Sequence, residues 1–341
     1  MGIAGYEHLR YLWGPCLAQT ADIEILTALS PDSARARDWK RELKCRSFCT
    51  SFDLLLTNPD LDALLISDCE DMPSDWVKLA ISAGKNILAT GPIALSLQEF
   101  DRLVAKAHSS DAVFMIASPW MFDPILESVK QRLAIVAIGS LLQATFRSGF
   151  DPKIKGGDTS NFVRAITPSL DLAHSFFGCP DTVSADLDFS AGGTGTLIVA
   201  HQGVKVVHCI NRGSLEVSCR IEGAEGSLTF QVPDCFRNKT HEQSITIKQN
   251  GKPARPLTSG LNRSSCESIS RMITHFAERC LSVKSEKDKL DHNRSVLETA
   301  IAAVLASRDG VRMTLPLTHS HDLYTDRNSQ LISIRPAIIP R

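Results

Sequence analysis

The sequence predicts an α/β chain in two parts and a tail. Residues 1–120 read as a doubly wound parallel sheet, 121–317 as an α+β domain with an open, mainly antiparallel sheet, and 318–341 as an extended tail. Three observations predict this. In the first third, short apolar runs alternate with amphipathic stretches of helical period, the pattern of parallel strands joined by right-handed crossovers. Beyond about residue 135 the pattern changes to a series of strand-like runs, with one helix before them and two after. The length of 341 residues, 43% of them hydrophobic, is enough for two ordinary cores.

Taken in order, "MGIAG" is a strand running into a turn and "GPCLAQT" continues a helix. "IEILTALS" is the next strand, bounded by Asp22 and by Ser30-Pro31, and "DSARARDWKRELK" is a charged helix capped by Asp32. "SFDLLLTNPDLDALLIS" gives a short helix, an Asn-Pro turn and the strand "DALLIS". "SDWVKLAISAG" is an amphipathic helix closed by Gly84. "NILAT" is a strand, "SLQEFDRLVAKAHSS" a helix capped by Ser96, and "AVFMIAS" a further strand. In the second part the helix "TPSLDLAHSFFG" precedes the strands "TVSADLDFS", "GTGTLIVAHQ", "VKVVHCINR", "LEVSCRIEGAEGSLTFQV" and "SITIKQN", which read as antiparallel neighbours. Helices near 264–283 and 292–308 close it.

Composition narrows the function classes. A net charge of −1 gives no basic excess for nucleic acid. No apolar run reaches bilayer length, and the N-terminus has neither the charged and apolar regions of a signal peptide nor, with Tyr6 at the sixth position, a myristoylation motif. The ten cysteines sit mostly inside apolar or periodic segments and read as reduced thiols of a cytoplasmic protein. No metal site is expected: Cys45 and Cys49 lack two further ligands, and His319, His321 and Asp322 lie in the tail.

The layout resembles the glucose–fructose oxidoreductase / inositol dehydrogenase (Gfo/Idh/MocA) family over roughly residues 1–317. The landmarks are "GIAG", "PDLDALLIS", "AISAGKNILATGPIALSLQEFDRLVAKA", "FDP" at 122–124, "GGD" at 156–158, "SLDLAHSFFG" at 169–178, "IEGAEGSLTF" and "GVRMTLPL". The third is the most specific, matching a family pattern of helix, Ala-Gly-Lys-x-Val, strand, Glu-Lys-Pro and helix. The resemblance implies a Rossmann-type N-terminal domain binding NAD or NADP, a small-molecule substrate, and a homo-oligomer formed through the C-terminal sheet.

Position by position, this chain departs from the family's chemistry. Of the family's Gly-x-Gly-x-x-Gly turn only Gly5 survives, followed by Tyr6, Glu7 and Arg10. A carboxylate at Glu7 about 4 Å from a phosphate costs about 1 kcal/mol in water and about 4 kcal/mol at an effective dielectric of 20. Arg10 offsets this by pairing with phosphate, or Glu7 turns to solvent. Ser30 stands where the family's ribose-binding acid ends the second strand; with Arg35 it suits a 2′-phosphate and favours NADP, and otherwise it is a helix cap. Ser67, Thr90, Gly91 and Pro92 complete the expected cofactor contacts, with Thr90 and Gly91 in place of the signature Glu and Lys.

The other signature, Asp-x-Gly-x-His followed three residues later by Asp, aligns on Asp171 and puts Pro168 at the catalytic His. Pro168 moves no proton, and a positioned acid/base is worth about 10²–10⁴-fold in rate. Asp171 and His174, at i and i+3 on one helix face, are the candidate replacement pair; alternatively His174 packs behind the helix. Trp120, Arg147, Asp158 and Arg164 are candidate substrate contacts, the arginines serving an anionic ligand or ordinary ion pairs. The expected function is an NAD(P)-dependent oxidoreductase of a small polyol, sugar-like or natural-product alcohol or carbonyl with a non-standard proton-transfer site. The alternative is a non-catalytic scaffold for ligand sensing or protein interaction.

Overall fold

The computed structural model describes residues 1–5, 13–20, 23–67, 73–134, 138–150, 159–189, 194–212, 217–232, 245–256, 266–282 and 290–317. The expected tail at 318–341 lies outside them. Six strands, β1 (Gly2–Ala4), β2 (Thr27–Leu29), β3 (Ser47–Cys49), β4 (Ala63–Ile66), β5 (Asn86–Thr90) and β6 (Phe114–Ala117), form one parallel sheet in the order β3-β2-β1-β4-β5-β6. The order reverses between β1 and β4, the switch point at which sheets of this kind bind ligands. The strands are nearly continuous apolar runs because both faces are covered. Ile3, Ala28, Leu65, Leu88 and Met115 face one core; Ala4, Leu29, Leu64, Ile66, Ile87 and Ala89 face the other.

The described helices of this domain are α1 (Trp13–Gln19), α2 (Ser33–Glu42), α3 (Phe52–Leu56), α4 (Pro73–Ser82) and α5 (Leu97–His108). Ser96 caps α5 by accepting from Glu99 N at 3.2 Å, and Leu97, Phe100, Leu103 and Ala107 are its buried stripe. Each fully buried Leu or Phe contributes about 1.5–3 kcal/mol, so that stripe outweighs the cap, worth about 1 kcal/mol. Gly84 ends α4 with φ +68, a left-handed conformation that costs glycine little. A 3₁₀ turn at Pro119–Phe122 leads from β6 into α6 (Pro124–Ala134).

The second sheet has nine strands: β7 (Leu141–Phe150), β8 (Thr182–Asp188), β9 (Thr194–His201), β10 (Val204–Arg212), β11 (Val217–Gly223), β12 (Gly226–Val232), β13 (Ile245–Gln249), β14 (Arg255–Pro256) and β15 (Met313–Thr314). Their order is β14-β13-β12-β11-β7-β10-β9-β8-β15. All neighbours are antiparallel except β7 and β10, which run parallel at the centre. β7, the strand around which the sheet is built, is not among the strands expected from the sequence. Its apolar alternation is thin, with Ala144 and Phe146 buried between Gln143, Thr145 and Arg147, and its pairing with β11 shifts register at Glu222/Gly223.

The helix α7 (Thr159–Phe177) covers one face of this sheet, and α9 (Asp291–Asp309) packs against α7 and β8. From Val296 to Ala306 every residue of α9 is buried, as for a helix enclosed on all sides. The helix α8 (Cys266–Leu281) departs from the expected grouping: Ile269, Met272, Ile273 and Phe276 fill the core beneath β1, β2 and α1 of the parallel sheet. Ser268 Oγ also donates to Asp123 Oδ2, at 2.9 Å, at the start of α6.

Candidate active site

The carboxyl ends of the parallel strands share a simple sequence rule. The residue after β1 is Gly5, after β2 Ser30, after β4 Ser67, after β5 Gly91 and after β6 Ser118. Gly5 takes φ +82, where a side chain is disfavoured. Ser30, Ser67 and Ser118 are buried. Ser67 N donates to Ala4 O at 2.9 Å across the switch point. A floor of small residues along five strand ends fits a flat, extended ligand such as a nicotinamide dinucleotide. Thr90 is the last residue of β5, and Pro92 is buried after a cis peptide bond from Gly91. Tyr6, Glu7 and Arg10 lie outside the described residues.

At the expected ribose position, Ser30 Oγ accepts from Asp32 N at 3.2 Å. Asp32 caps α2 through Ala34 N at 2.8 Å and Arg35 N at 3.4 Å. Its carboxylate also lies 3.7 Å from Arg35 Nε, both side chains being exposed. Cap and cation are therefore both present, and the cation already faces a carboxylate.

Against these strand ends packs α7. Asp171 is 7% exposed and both its oxygens are engaged. Ser118 Oγ donates to Oδ2 at 2.5 Å, and His292 Nε2 donates to Oδ1 at 2.5 Å. Because Thr90 and Ala117 are register partners, Ser118 stands beside Gly91 just past the strand ends. Pro168 lies on α7 one turn before Asp171. The Ser118–Asp171 hydrogen bond thus joins the strand end beside Gly91 to the stretch of α7 that carries Pro168.

The expected Asp171–His174 pair is not formed. Three residues along a helix, His174 turns into the core, where its Nδ1 donates to Leu170 O at 2.8 Å and its Nε2 lies 3.1 Å from Thr299 Oγ1. Burial lowers its pKa to about 3, helped by the neighbouring His201 and His292 and opposed by the Leu170 carbonyl. A ring buried and neutral in this way is packing, which corrects the proton-transfer expectation for His174. Asp171 instead takes its imidazole from the first turn of α9, 121 residues away in the chain. Neither His292 nor Ser118 is among the site residues expected from the sequence. The Gly/Ser rule at the strand ends points to Ser118; no local signal points to His292.

Further fastenings hold this wall. Arg294 Nε and Nη2 donate to Asp101 Oδ1 and Oδ2 of α5 at 2.7 and 3.1 Å, tying the first turn of α9 to the parallel-sheet domain. Lys130 of α6 holds its Nζ 5.5 Å from the Phe176 ring centroid. Burial lowers the pKa of this ammonium, while the carboxylates of Asp171 and Glu127 pull it back up.

The expected substrate contacts fare unevenly. Arg164 is half-buried on α7, two turns before Asp171. Trp120 is packed in the main core, so its indole is a structural wall and not an open contact. Arg147 is corrected outright. Phe146 stacks on His208, which bonds Ser169 of α7, so the strand's pleat turns Arg147 to the opposite, open face of the sheet. Asp158 lies outside the described residues. Among the described residues no group of three or more His, Cys, Asp or Glu side chains is arranged to hold a metal ion, and no helix is long and apolar enough to cross a membrane.

Residues 1–118 match the profile of the oxidoreductase family GFO_IDH_MocA, described as an NAD-binding Rossmann fold. The dTDP-3,4-didehydro-2,6-dideoxy-alpha-D-glucose 3-reductase of Saccharopolyspora spinosa is 25% identical over 152 residues, 45% of each chain. The D-xylose 1-dehydrogenase (NADP(+)) 2 of Haloferax volcanii is 25% identical over 178 residues, 49% of this chain and 54% of that one. The matched region thus spans about half the length of these curated relatives. Among solved structures, a 3-ketoreductase from Actinomadura kijaniata in complex with TDP-benzene and NADP superposes with TM-score 0.72 at 19% identity, covering 91% of this chain and 96% of that one. An oxidoreductase from Agrobacterium radiobacter in complex with NAD+, L-tartaric acid and magnesium does so with TM-score 0.72 at 14% identity, covering 92% and 97%. At those identities the likeness is one of fold, and it extends over both sheets. Over residues 1–118, its Rossmann domain, the chain is similar to the Gfo/Idh/MocA oxidoreductase family.

Proposed function

We propose that the protein is an NAD(P)-dependent oxidoreductase acting on a small sugar-like or polyol alcohol, or the corresponding carbonyl, through a non-standard proton-transfer site. The observation that carries this reading is the buried Asp171 carboxylate held by Ser118, itself one of the row of small residues at the strand ends. A nicotinamide dinucleotide held there would supply the hydride-transfer chemistry. Gly5, Ser30, Ser67, Thr90, Gly91 and Pro92 would form its floor. Relatives support the substrate class by their names: a deoxysugar 3-reductase and a xylose dehydrogenase. NADP is the preferred cofactor through Arg35, by a small margin because Asp32 faces the same guanidinium.

The open face of the nine-stranded sheet is the proposed homo-oligomer surface. Cys16, Cys45, Cys49, Cys179, Cys209, Cys219 and Cys280 are free thiols, which suits a reducing cytoplasm. The test of the activity is isotopic: protein incubated with NADP+ or NAD+ and C1-deuterated D-xylose or C-deuterated myo-inositol, followed by mass analysis of the nicotinamide. Deuterium on the reduced cofactor is expected. Cofactor that binds but gains no deuterium from any sugar or polyol in such a panel would favour the scaffold reading, which the missing Lys at Gly91 and His at Pro168 also suit.

A further inference from the structure

We propose that His292 is the catalytic proton-transfer residue of this crevice, with Asp171 as its positioning residue, a role that rests on the oxidoreductase reading above. Four histidines surround the C-terminal half of α7: His174, His201, His208 and His292. Three are buried at 3% exposure or less, and their rings meet helix, sheet and one another. His292 alone of the four reaches the surface, with 29% of its side chain exposed.

Its protonation pattern follows from its partner. A carboxylate accepts only, so the bond to Asp171 Oδ1 fixes the proton on Nε2 and leaves Nδ1 with a lone pair. Among the described residues no hydrogen bond is made to Nδ1. Asp171 is itself locked, its second oxygen taken by the Ser118 hydroxyl at the strand end beside Gly91. The imidazole is thus held from behind at the strand ends where the family's Lys is missing, with its basic nitrogen turned from the carboxylate. An ionised carboxylate behind an imidazole orients the ring and stabilises the imidazolium that forms. Around the ring stand Asp171 and His174 of α7, the latter's ring centroid 6.2 Å away; Lys130 of α6 acts on Asp171, and Asp291 and Arg294 belong to the same helix as His292.

The chemistry balances. In oxidation the substrate C–H bond breaks and its electron pair leaves as hydride to the nicotinamide. The O–H proton passes to His292 Nδ1 and a C=O bond forms. The imidazolium is held by Asp171 and returns its proton to water through the exposed edge of the ring. Reduction runs the same steps backwards, with Nδ1–H as the acid. Asp171 keeps its hydrogen bond to Nε2–H throughout.

Two readouts test this. In the full-length protein with 15N-labelled histidine, NMR should find neutral His292 protonated on Nε2, and Asp171→Asn should abolish that preference. In steady-state oxidation of D-xylose or myo-inositol, His292→Ala should lower kcat about 10²–10⁴-fold. KM and NADPH binding should stay within about threefold, the acid limb of the kcat–pH profile should vanish, and added imidazole should restore part of the rate. His292→Gln serves the same purpose should the alanine variant fold poorly. A neutral His292 carrying its proton on Nδ1, or a His292→Ala enzyme with wild-type kcat and pH profile, overturns the proposal. Wild-type protein that binds neither cofactor overturns the oxidoreductase reading and this role with it, whereas intact binding with an unaffected variant overturns this role alone.

Discussion

Arg294 and Asp101 join the last helix to the parallel-sheet domain through a two-pronged ion pair, 2.7 and 3.1 Å, two residues past His292. The pair ties the position of the proposed proton-transfer ring to the Rossmann domain, although the ring arrives from the far end of the chain. A double-mutant cycle with Arg294→Ala and Asp101→Asn should give a coupling of about 1 kcal/mol, at the upper end for partly exposed pairs. Arg294→Lys should keep the charge, lose the fork and lower kcat more than it lowers the melting temperature would suggest.

Ser118→Ala leaves Asp171 Oδ2 without its donor in a buried place. A hydrogen bond to a charged group contributes about 1.5–3 kcal/mol. The expected result is a loss of that order in urea unfolding, with a fall in kcat because Asp171 is free to turn away from His292.

Acid should destabilise the protein through its core histidines. His174 and His208 have folded pKa values of about 3 against an ordinary 6.5, in both cases chiefly because burial disfavours the charged ring. The unfolded chain therefore binds protons first. Stability is full above pH 6.5 and is lost progressively as pH falls toward 3, each ring steepening the slope by up to about 1.4 kcal/mol per pH unit. His208→Phe, which keeps a ring against Phe146, should flatten the dependence by one proton; unfolding curves between pH 7 and 4 measure it.

No conformational need holds Gly91, the expected counterpart of the family's Lys, as glycine: an added Cβ would meet only Ile116 Cγ2, at 3.4 Å. Gly91→Ala should leave the melting temperature nearly unchanged. Gly91→Lys, which brings a cation beside Ser118, should raise the rate of carbonyl reduction about tenfold, equivalent to about 1.4 kcal/mol of barrier. Steady-state kinetics on the same substrate panel compare the two.

Most of the parallel sheet and its helices can be read from local pattern, because their signals are local: the Ser96 cap before Leu97, the turn at Gly84, and the apolar runs buried on both faces. β7 escapes because its alternation is weak and its register with β11 shifts. α8 looks like any amphipathic helix near the second sheet; only tertiary structure reveals that Ile269, Met272, Ile273 and Phe276 complete the core beneath β1 and β2. The site divides the same way. Asp171, Gly91 and Pro168 are singled out by the resemblance to the family's motifs. The partner of Asp171 does not, because helical spacing offers the nearby His174 while the three-dimensional packing supplies His292.

The measurement closest to the central claim is nicotinamide fluorescence on titrating the purified protein with NADPH and with NADH. The account predicts saturable binding of at least one, with NADPH the tighter and the margin narrowed by Arg35→Ala. No binding of either at millimolar concentration would contradict it.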